Sequence, residues 1–160
     1  MSLSQTPFGR LPDGTHLDHR WIESHIPHRG GMCLLDEVLS WDDERIRCRA
    51  SSHRLADNPL RAHGRLGAAC GVEYAAQAMA VHGAIMAHLA GTRVRAGLLT
   101  SVRSLVMRVT RLDDLETDLI ASAERLAGDA GSTLYEFTVA AGGKELLSGR
   151  AGIVFGTGPV

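Results

Sequence analysis

The 160-residue chain has little of what marks several large classes of protein. Its three cysteines, Cys33, Cys48 and Cys70, form no CxxC pair, so neither a disulfide framework nor a thiolate zinc site is expected, and a reducing, cytoplasmic environment fits best. No apolar run approaches the length that crosses a bilayer, and the N-terminus lacks the pattern of a secretory signal. We therefore expect neither membrane insertion nor export.

The chain also lacks an excess of charge of either sign. Lysine and arginine number 17 against 18 aspartates and glutamates, which leaves a formal net charge of −1. This balance gives no general reason to expect nucleic acid or an anionic membrane as a partner. The length and a hydrophobic content of 44% suffice for one substantial core, so a single domain is predicted.

Polar and helix-breaking residues divide the chain into segments. Residues 1–20 are rich in Gly, Pro, His and Asp without a sustained period, which predicts a flexible N-terminal arm, and residues 21–157 are predicted to form the domain. A short helix, DHRWIESHI, should end before Pro27. The runs MCLLDEVLSW and RIRCRASS, separated by DDE, then predict a hairpin of two strands.

The longest predicted element is a helix from about Ala69 to Ala90, ended by Gly91. Apolar residues occupy nearly all of its faces, which is typical of a helix enclosed by other structure. Four strand-like runs follow it, joined by short turns. This order predicts an α+β domain in which one antiparallel sheet covers one buried helix.

Two polar residues interrupt the apolar helix. Glu73 and Gln77 lie four positions apart and therefore on the same side of one helical turn. The helix dipole alone favours a carboxylate in the first turn, and a glutamine there is able to hydrogen-bond a neighbouring protomer. A polar site on this face is the alternative interpretation.

Two motifs resemble those of a known family. Residues 26–38, IPHRGGMCLLDEV, resemble the LPHRYPFLLVDRV opening of the hotdog-fold 3-hydroxyacyl-acyl-carrier-protein dehydratases, and residues 73–80, EYAAQAMA, resemble their EALAQAAG on the central helix. Residues 71–77, GVEYAAQ, are closer still to the GIEYMAQ of the predicted dehydratases from aryl-polyene pigment clusters. The likeness spans roughly residues 20–155 and implies a hotdog fold, an antiparallel sheet wrapped around one long central helix.

The resemblance implies a dimer with active sites between protomers, where carrier-bound 3-hydroxyacyl thioesters lose water to give trans-2-enoyl thioesters. Glu73 is then the expected acid, because burial in the apolar helix wall raises the pKa of a carboxyl group, and Gln77 is expected to orient it. Two histidines are candidates for the base. His63 lies in the loop RAHGRLGAACGV, which departs from the family's GHFPGRPVMPGV, and His28 lies in the matched PHR segment.

Backbone amides and arginines complete the expected site. The N–H groups near Gly71 and Val72, at the positive end of the helix dipole, are predicted to polarise the thioester oxygen. Arg93 and Arg95 are candidates for docking an acyl-carrier protein, with an ordinary charged strand face as the alternative. No cofactor is expected, because the carrier's phosphopantetheine belongs to the substrate.

Other functions stay open on the same fold. A helix carboxylate that activates water would make the protein a thioesterase. A non-catalytic hotdog subunit that binds the carrier protein or an active partner is the other alternative, and the choice between homodimer and heterodimer is open. A metal site is not expected: no carboxylate or cysteine completes a convincing ligand set around the two HxxH pairs formed by His16, His19, His25 and His28.

Overall fold

The computed structural model describes residues 9–156, which form one antiparallel sheet around one long helix. The helices are α1 (His19–His25) and α2 (Gly71–Ala90). The strands are β1 (Glu37–Trp41), β2 (Arg45–Ala50), β3 (Gly97–Met107), β4 (Leu119–Gly128), β5 (Ser132–Ala141) and β6 (Lys144–Phe155). They lie side by side in the order β1-β2-β4-β5-β6-β3. The predicted α+β hotdog architecture is confirmed.

The hairpin of β1 and β2 follows the alternation in the sequence. Ile46, Cys48 and Ala50 are buried, and the arginines between them face outward, with Arg45 and Arg47 exposed. Side chains alternate between the two faces of a strand, so the period of two in RIRCRA assigns one face to the core. The same face continues across the sheet, since Cys48 pairs with Ala121 of β4, which is also fully buried.

Helix α2 lies against β2, β4 and β5. Ala75, Ala78 and Ala84 are fully buried, and these small side chains let the sheet approach the helix closely. A 3-10 turn, Ala68–Cys70, precedes the helix, and Gly91 ends it in the left-handed conformation with a φ of 66°, as predicted for a glycine cap. Neither described helix combines the length and hydropathy of a membrane span.

Part of the predicted N-terminal arm belongs to the folded domain. Leu11 and Leu17 are buried in the core, the Leu17 carbonyl accepts a hydrogen bond from the N–H of Val38, and Trp41 Nε1 donates to the carbonyl of Arg10. The Asp18 side chain caps the start of α1. The arm prediction is therefore wrong for residues 9–20, and residues 1–8 lie outside the described part of the chain.

Strand β3 forms one edge of the sheet and pairs with β6 alone among the described strands. Its pairing register shifts between Arg103 and Val106, where Ser104 has a φ of 54°. Ten of its eleven residues are exposed in the single chain. These exposed residues include six large apolar side chains: Leu98, Leu99, Val102, Leu105, Val106 and Met107. The strand therefore presents an apolar edge with unpaired backbone groups.

Candidate active site

Glu73 lies in the first turn of α2, where two donors meet one of its carboxylate oxygens. His28 Nε2 is 3.1 Å from Glu73 Oε1, and Gln77 Nε2 donates to the same oxygen over 3.1 Å. The second oxygen, Oε2, has no partner among the described residues, and 32% of the Glu73 side chain is exposed. The carboxylate is thus fixed through Oε1, and Oε2 is the oxygen that these contacts leave available.

The segment after α1 carries His28 to this position. Pro27 cannot continue the helix, and the Arg29 guanidinium donates to the carbonyls of Glu23, Ile26 and His28, which fixes the turn that leaves it. The His28 Nδ1 atom is buried and has no hydrogen-bond partner. Its Nε2 is therefore the ring nitrogen through which His28 acts on Glu73.

Gln77 ties the same segment to α2. Its side chain is fully buried, its Nε2 donates to the carbonyl of Met32 over 2.7 Å, and its Oε1 accepts the N–H of Leu34 over 2.9 Å. With the bond to Glu73, both amide hydrogens and the carbonyl oxygen are satisfied. Gln77 thereby holds the chain that carries His28 and the carboxylate that His28 contacts.

Tyr74 supports this arrangement from the opposite side of the segment. Its hydroxyl is 2.8 Å from Ser52 Oγ and accepts a bond from Asn58 Nδ2 over 3.1 Å. Ser52 Oγ donates in turn to the carbonyl of Leu34 over 2.9 Å. The backbone of Leu34 is therefore held at its N–H by Gln77 and at its carbonyl by Ser52. Sequence reasoning gave Tyr74, Ser52 and Asn58 no role.

The hydrogen bond from His28 lowers the pKa of Glu73, assisted by the bond from Gln77, although burial acts in the opposite direction. The expectation that burial keeps this carboxyl protonated is therefore wrong for the described chain. Two donors on Oε1 stabilise the charged form by more than partial desolvation penalises it. The contacts within the chain thus favour the charged form of Glu73.

His63, the first candidate for the base, lies apart from this cluster. It is exposed at the tip of a tight turn in which the N–H and carbonyl groups of Ala62 and Arg65 bond each other. His63 and Gly64 occupy the two central positions with φ of 54° and 75°, the geometry of a two-residue reversal. No hydrogen bond or ion pair joins His63 to Glu73 within the chain. Of the two candidates, the fold brings His28 to the carboxylate.

The predicted oxyanion amides are not free at Gly71. Because the 3-10 turn Ala68–Cys70 precedes α2, the Gly71 N–H already donates to the carbonyls of Ala68 and Ala69. Gly71 is needed for another reason, since a Cβ at this position would lie 2.5 Å from a side-chain carbon of Leu147. The prediction for Gly71 is therefore wrong, and Val72, half-buried against the core, is one residue further into the helix.

The two arginines singled out after the helix differ in their contacts. Arg95 donates to the carbonyls of Ala130 and Gly156 and lies over the ring of Phe155, 5.3 Å from its centroid. Its guanidinium thus fastens the β4–β5 turn to the end of β6. Arg93 is exposed and makes no side-chain hydrogen bond or ion pair within the described residues.

Comparison with known structures supports the fold. The chain is similar to the dehydratase heterocomplex ApeI:P of Xenorhabdus doucetiae, with a TM-score of 0.77, 20% identity and coverage of 85% of this chain and 91% of that one. It is also similar to the PaaI protein of the Escherichia coli phenylacetic acid degradation operon, with a TM-score of 0.55, 13% identity and coverage of 73% and 80%. A mutant thioesterase of Pseudomonas aeruginosa gives a TM-score of 0.54 at 13% identity, covering 78% and 81%.

A search of curated proteins gives no significant match. The six-stranded sheet, the enclosed helix and the polar cluster at its start define a hotdog-fold protein with a carboxylate site. Residues 20–155 match the family model of the ApeP-like proteins, described as ApeP dehydratase. The chain belongs to this dehydratase family, which confirms the likeness to hotdog dehydratases drawn from the motifs.

Proposed function

We propose that the protein removes water from 3-hydroxyacyl thioesters carried on an acyl-carrier protein, giving trans-2-enoyl thioesters. The observation that carries the proposal is the cluster of His28, Glu73 and Gln77 at the start of the buried helix in a member of a dehydratase family. Glu73 offers one oxygen held by two donors and one oxygen free for substrate. A carboxylate placed in this way is suited to moving a proton at a fixed position.

In the proposed reaction Glu73 Oε2 takes a proton from C2 of the substrate, whose acidity comes from the neighbouring thioester carbonyl. The electron pair of the C2–H bond forms the C2=C3 bond while the C3–O bond breaks. The departing hydroxyl group receives the proton now held by Glu73, which restores the carboxylate and releases water. Only protons and a hydroxyl group move, so the chemistry calls for no redox cofactor.

His28 and Gln77 act on substrate through Glu73 in this proposal. The Nε2 of His28 contacts Glu73 Oε1, and its Nδ1 is buried, so neither ring nitrogen faces an incoming acyl group. His28 therefore orients Glu73, and its hydrogen bond stabilises the charged form of the carboxyl group. Gln77 fixes both residues relative to each other.

The test is intact-mass analysis of a 3-hydroxyacyl carrier protein incubated with the purified chain. Loss of one water is expected, and Glu73→Gln should slow it by about 10²–10⁴-fold, the usual contribution of a positioned proton-transfer group. Release of the whole acyl group would contradict the proposal and identify a thioesterase. An unchanged mass, both alone and with a hotdog partner, would identify a non-catalytic chain.

Two histidine variants separate the candidates for the base. His28→Ala should reduce dehydration, because Glu73 loses the donor that fixes it, whereas His63→Ala should leave it unchanged, because His63 is exposed in a turn. The reverse result would show that His63 supplies the reacting nitrogen to a site on another protomer, and it would contradict the roles proposed above.

A second hotdog subunit is the proposed partner, and β3 is its proposed contact. An open edge with exposed Leu98 and Met107 is suited to pairing with a strand of another chain. The similar structure from Xenorhabdus doucetiae is a dehydratase heterocomplex, which favours a different hotdog chain over a second copy of this one.

Co-expression of this chain with a candidate hotdog subunit, followed by size-exclusion chromatography with light scattering, tests the pairing. A stable heterodimer is expected, and the double variant Leu98→Lys with Met107→Lys should separate it into single chains. A monomer that dehydrates substrate unaided would contradict this part of the proposal. A homodimer would identify a second copy of the chain as the partner.

Arg93 is the proposed contact for the carrier protein. It is exposed and free of internal side-chain bonds within the described residues, whereas Arg95 also holds two carbonyl groups. Charge reversal by Arg93→Glu should raise the KM for the carrier-bound substrate and leave turnover of a small 3-hydroxyacyl thioester unchanged. Equal KM values for wild type and variant on the carrier-bound substrate would remove Arg93 from the contact.

A further inference from the structure

Three side chains of different chemistry meet where α1 faces the segment that leads into β1. His19 and Glu23 lie one turn apart on α1, with His19 Nε2 3.4 Å from Glu23 Oε2. Cys33 is buried beneath them, and its Sγ is 3.9 Å from His19 Nδ1. One ligand atom from each residue lies within 4.8 Å of the other two, and no other three such side chains within residues 9–156 are equally close.

The His19 ring is oriented as in a metal ligand. Its Nδ1 lies 2.7 Å from the carbonyl oxygen of Leu35, and since a carbonyl only accepts, Nδ1 carries the hydrogen. The lone pair of the neutral ring is then on Nε2, the nitrogen beside Glu23. Histidines that bind a metal through one nitrogen usually donate the other N–H to a backbone carbonyl or carboxylate, which fixes the tautomer.

The spacing of the three groups fits a small tetrahedral ion. With the usual zinc bond lengths, a histidine nitrogen and a carboxylate oxygen on one tetrahedral ion lie about 3.4 Å apart, and a thiolate sulfur lies about 3.6 Å from either. The nitrogen-to-oxygen distance of 3.4 Å already has this value. One ligand atom of each residue lies within 4.8 Å of the other two. Because Cys33 Sγ lies 3.9 Å from Nδ1 of the His19 ring, the Cys33 side chain has to rotate toward Nε2 to close the set.

We propose that His19, Glu23 and Cys33 bind one Zn²⁺ ion, with water in the fourth position. Imidazole, thiolate and carboxylate together select zinc over the harder cations Mg²⁺ and Ca²⁺, which prefer all-oxygen sites. The ion joins α1 to the segment containing Met32 and Leu34, whose backbone Gln77 holds. His19 belongs to an HxxH pair in the sequence, but the partners that complete the set, Glu23 and Cys33, are brought to it only by the fold.

Calorimetric titration of the chelator-treated protein with ZnCl₂ tests the proposal, and a parallel titration with CoCl₂ reports on the ligands. One ion should bind per chain. The cobalt form should show the near-ultraviolet absorption that a thiolate ligand produces, and Cys33→Ser should abolish it. Glu23→Gln should lower the affinity for zinc by more than the roughly 10–100-fold that is typical when a residue hydrogen-bonded to a metal ligand is lost. Because Glu23 is on the surface, this variant tests the site without disturbing the core.

Two matched variants control for binding elsewhere. His16 forms an equally spaced pair with Glu37, 3.4 Å apart, but no cysteine completes it, so His16→Ala should keep the zinc affinity. Cys70→Ser should likewise keep the cobalt absorption. The proposal would be overturned if zinc did not bind stoichiometrically. It would also be overturned if the wild type, Cys33→Ser and Glu23→Gln bound zinc with equal affinity, or if His16→Ala lost zinc binding.

Discussion

Replacing Gln77 by leucine tests the residue on which the geometry of the site depends. Leucine is similar in volume and favours a helix, so the substitution removes the three side-chain hydrogen bonds and leaves little empty space. The N–H of Leu34 and the carbonyl of Met32 then lose their side-chain partner beside the helix. Glu73 loses one of the two donors on its Oε1.

The expected loss of stability follows from those two backbone groups, which are left without a hydrogen-bond partner. Each buried group left without a partner costs about 1–3 kcal/mol, and Leu34, at 1% exposure, has little access to water as a substitute. Part of this cost is recovered, because the variant no longer buries an amide. We expect the free energy of unfolding to fall by about 2–4 kcal/mol.

Equilibrium unfolding in urea, followed by the fluorescence of the nearly buried Trp21 and Trp41, measures this change. With a slope of about 2 kcal/mol/M, the midpoint should fall by about 1–2 M. Hydrogen exchange gives a local readout, since the Leu34 amide should be protected in the wild type and exchange faster in the variant. A midpoint shift below about 0.3 M together with an unchanged Leu34 exchange rate would refute the reasoning.

Three further substitutions test separate features. Gly83→Ala should raise stability by about 0.5–1 kcal/mol in the same urea assay, because this exposed helix position has open space for a Cβ; a loss of stability would show that the space is occupied. Gly71→Ala should lower stability by about 1–3 kcal/mol, because its Cβ meets the fully buried Leu147, and an unchanged midpoint would show that Leu147 yields. His28→Ala should raise the pKa of Glu73, measured by NMR titration of the carboxyl carbon. Because this pKa is depressed in the wild type, the contact stabilises the folded state above the unfolded-state pKa of the carboxyl group. That stabilisation is lost as the pH falls through the lower folded-state pKa. An identical Glu73 titration in both proteins would refute the assigned role of His28.

The regular elements were predictable because local patterns determine them. The alternation in RIRCRA and the turn residues Gly142 and Gly143, with φ of 58° and 77°, each encode their structure within a few positions. The buried N-terminal segment was missed because Leu11 and Leu17 are isolated apolar residues without a period. Their burial depends on contacts with β1, such as the bond from Val38, which no local pattern reports.

The site was predictable only in part. Glu73 and Gln77 are neighbours through helix periodicity alone, and the structure joins them. His28 is 45 positions from Glu73. The two meet because hydrogen bonds from Gln77 to the backbone of Met32 and Leu34 fix the path of the irregular segment that contains His28. Proximity in sequence favoured His63 instead, but its backbone is committed to a chain reversal. Glycine is required at position 71 because a Cβ there would collide with the side chain of Leu147, which lies on a strand distant in sequence.

The open edge of β3 also bears on how such a chain is supplied in a cell. Unpaired backbone groups beside exposed leucine, valine and methionine accept almost any extended segment, including an unfolded copy of the same chain. A partner that covers this edge therefore competes with accidental neighbours for each newly made molecule. If the proposed hotdog partner covers this edge, synthesis of the two subunits in balance protects the chain against aggregation.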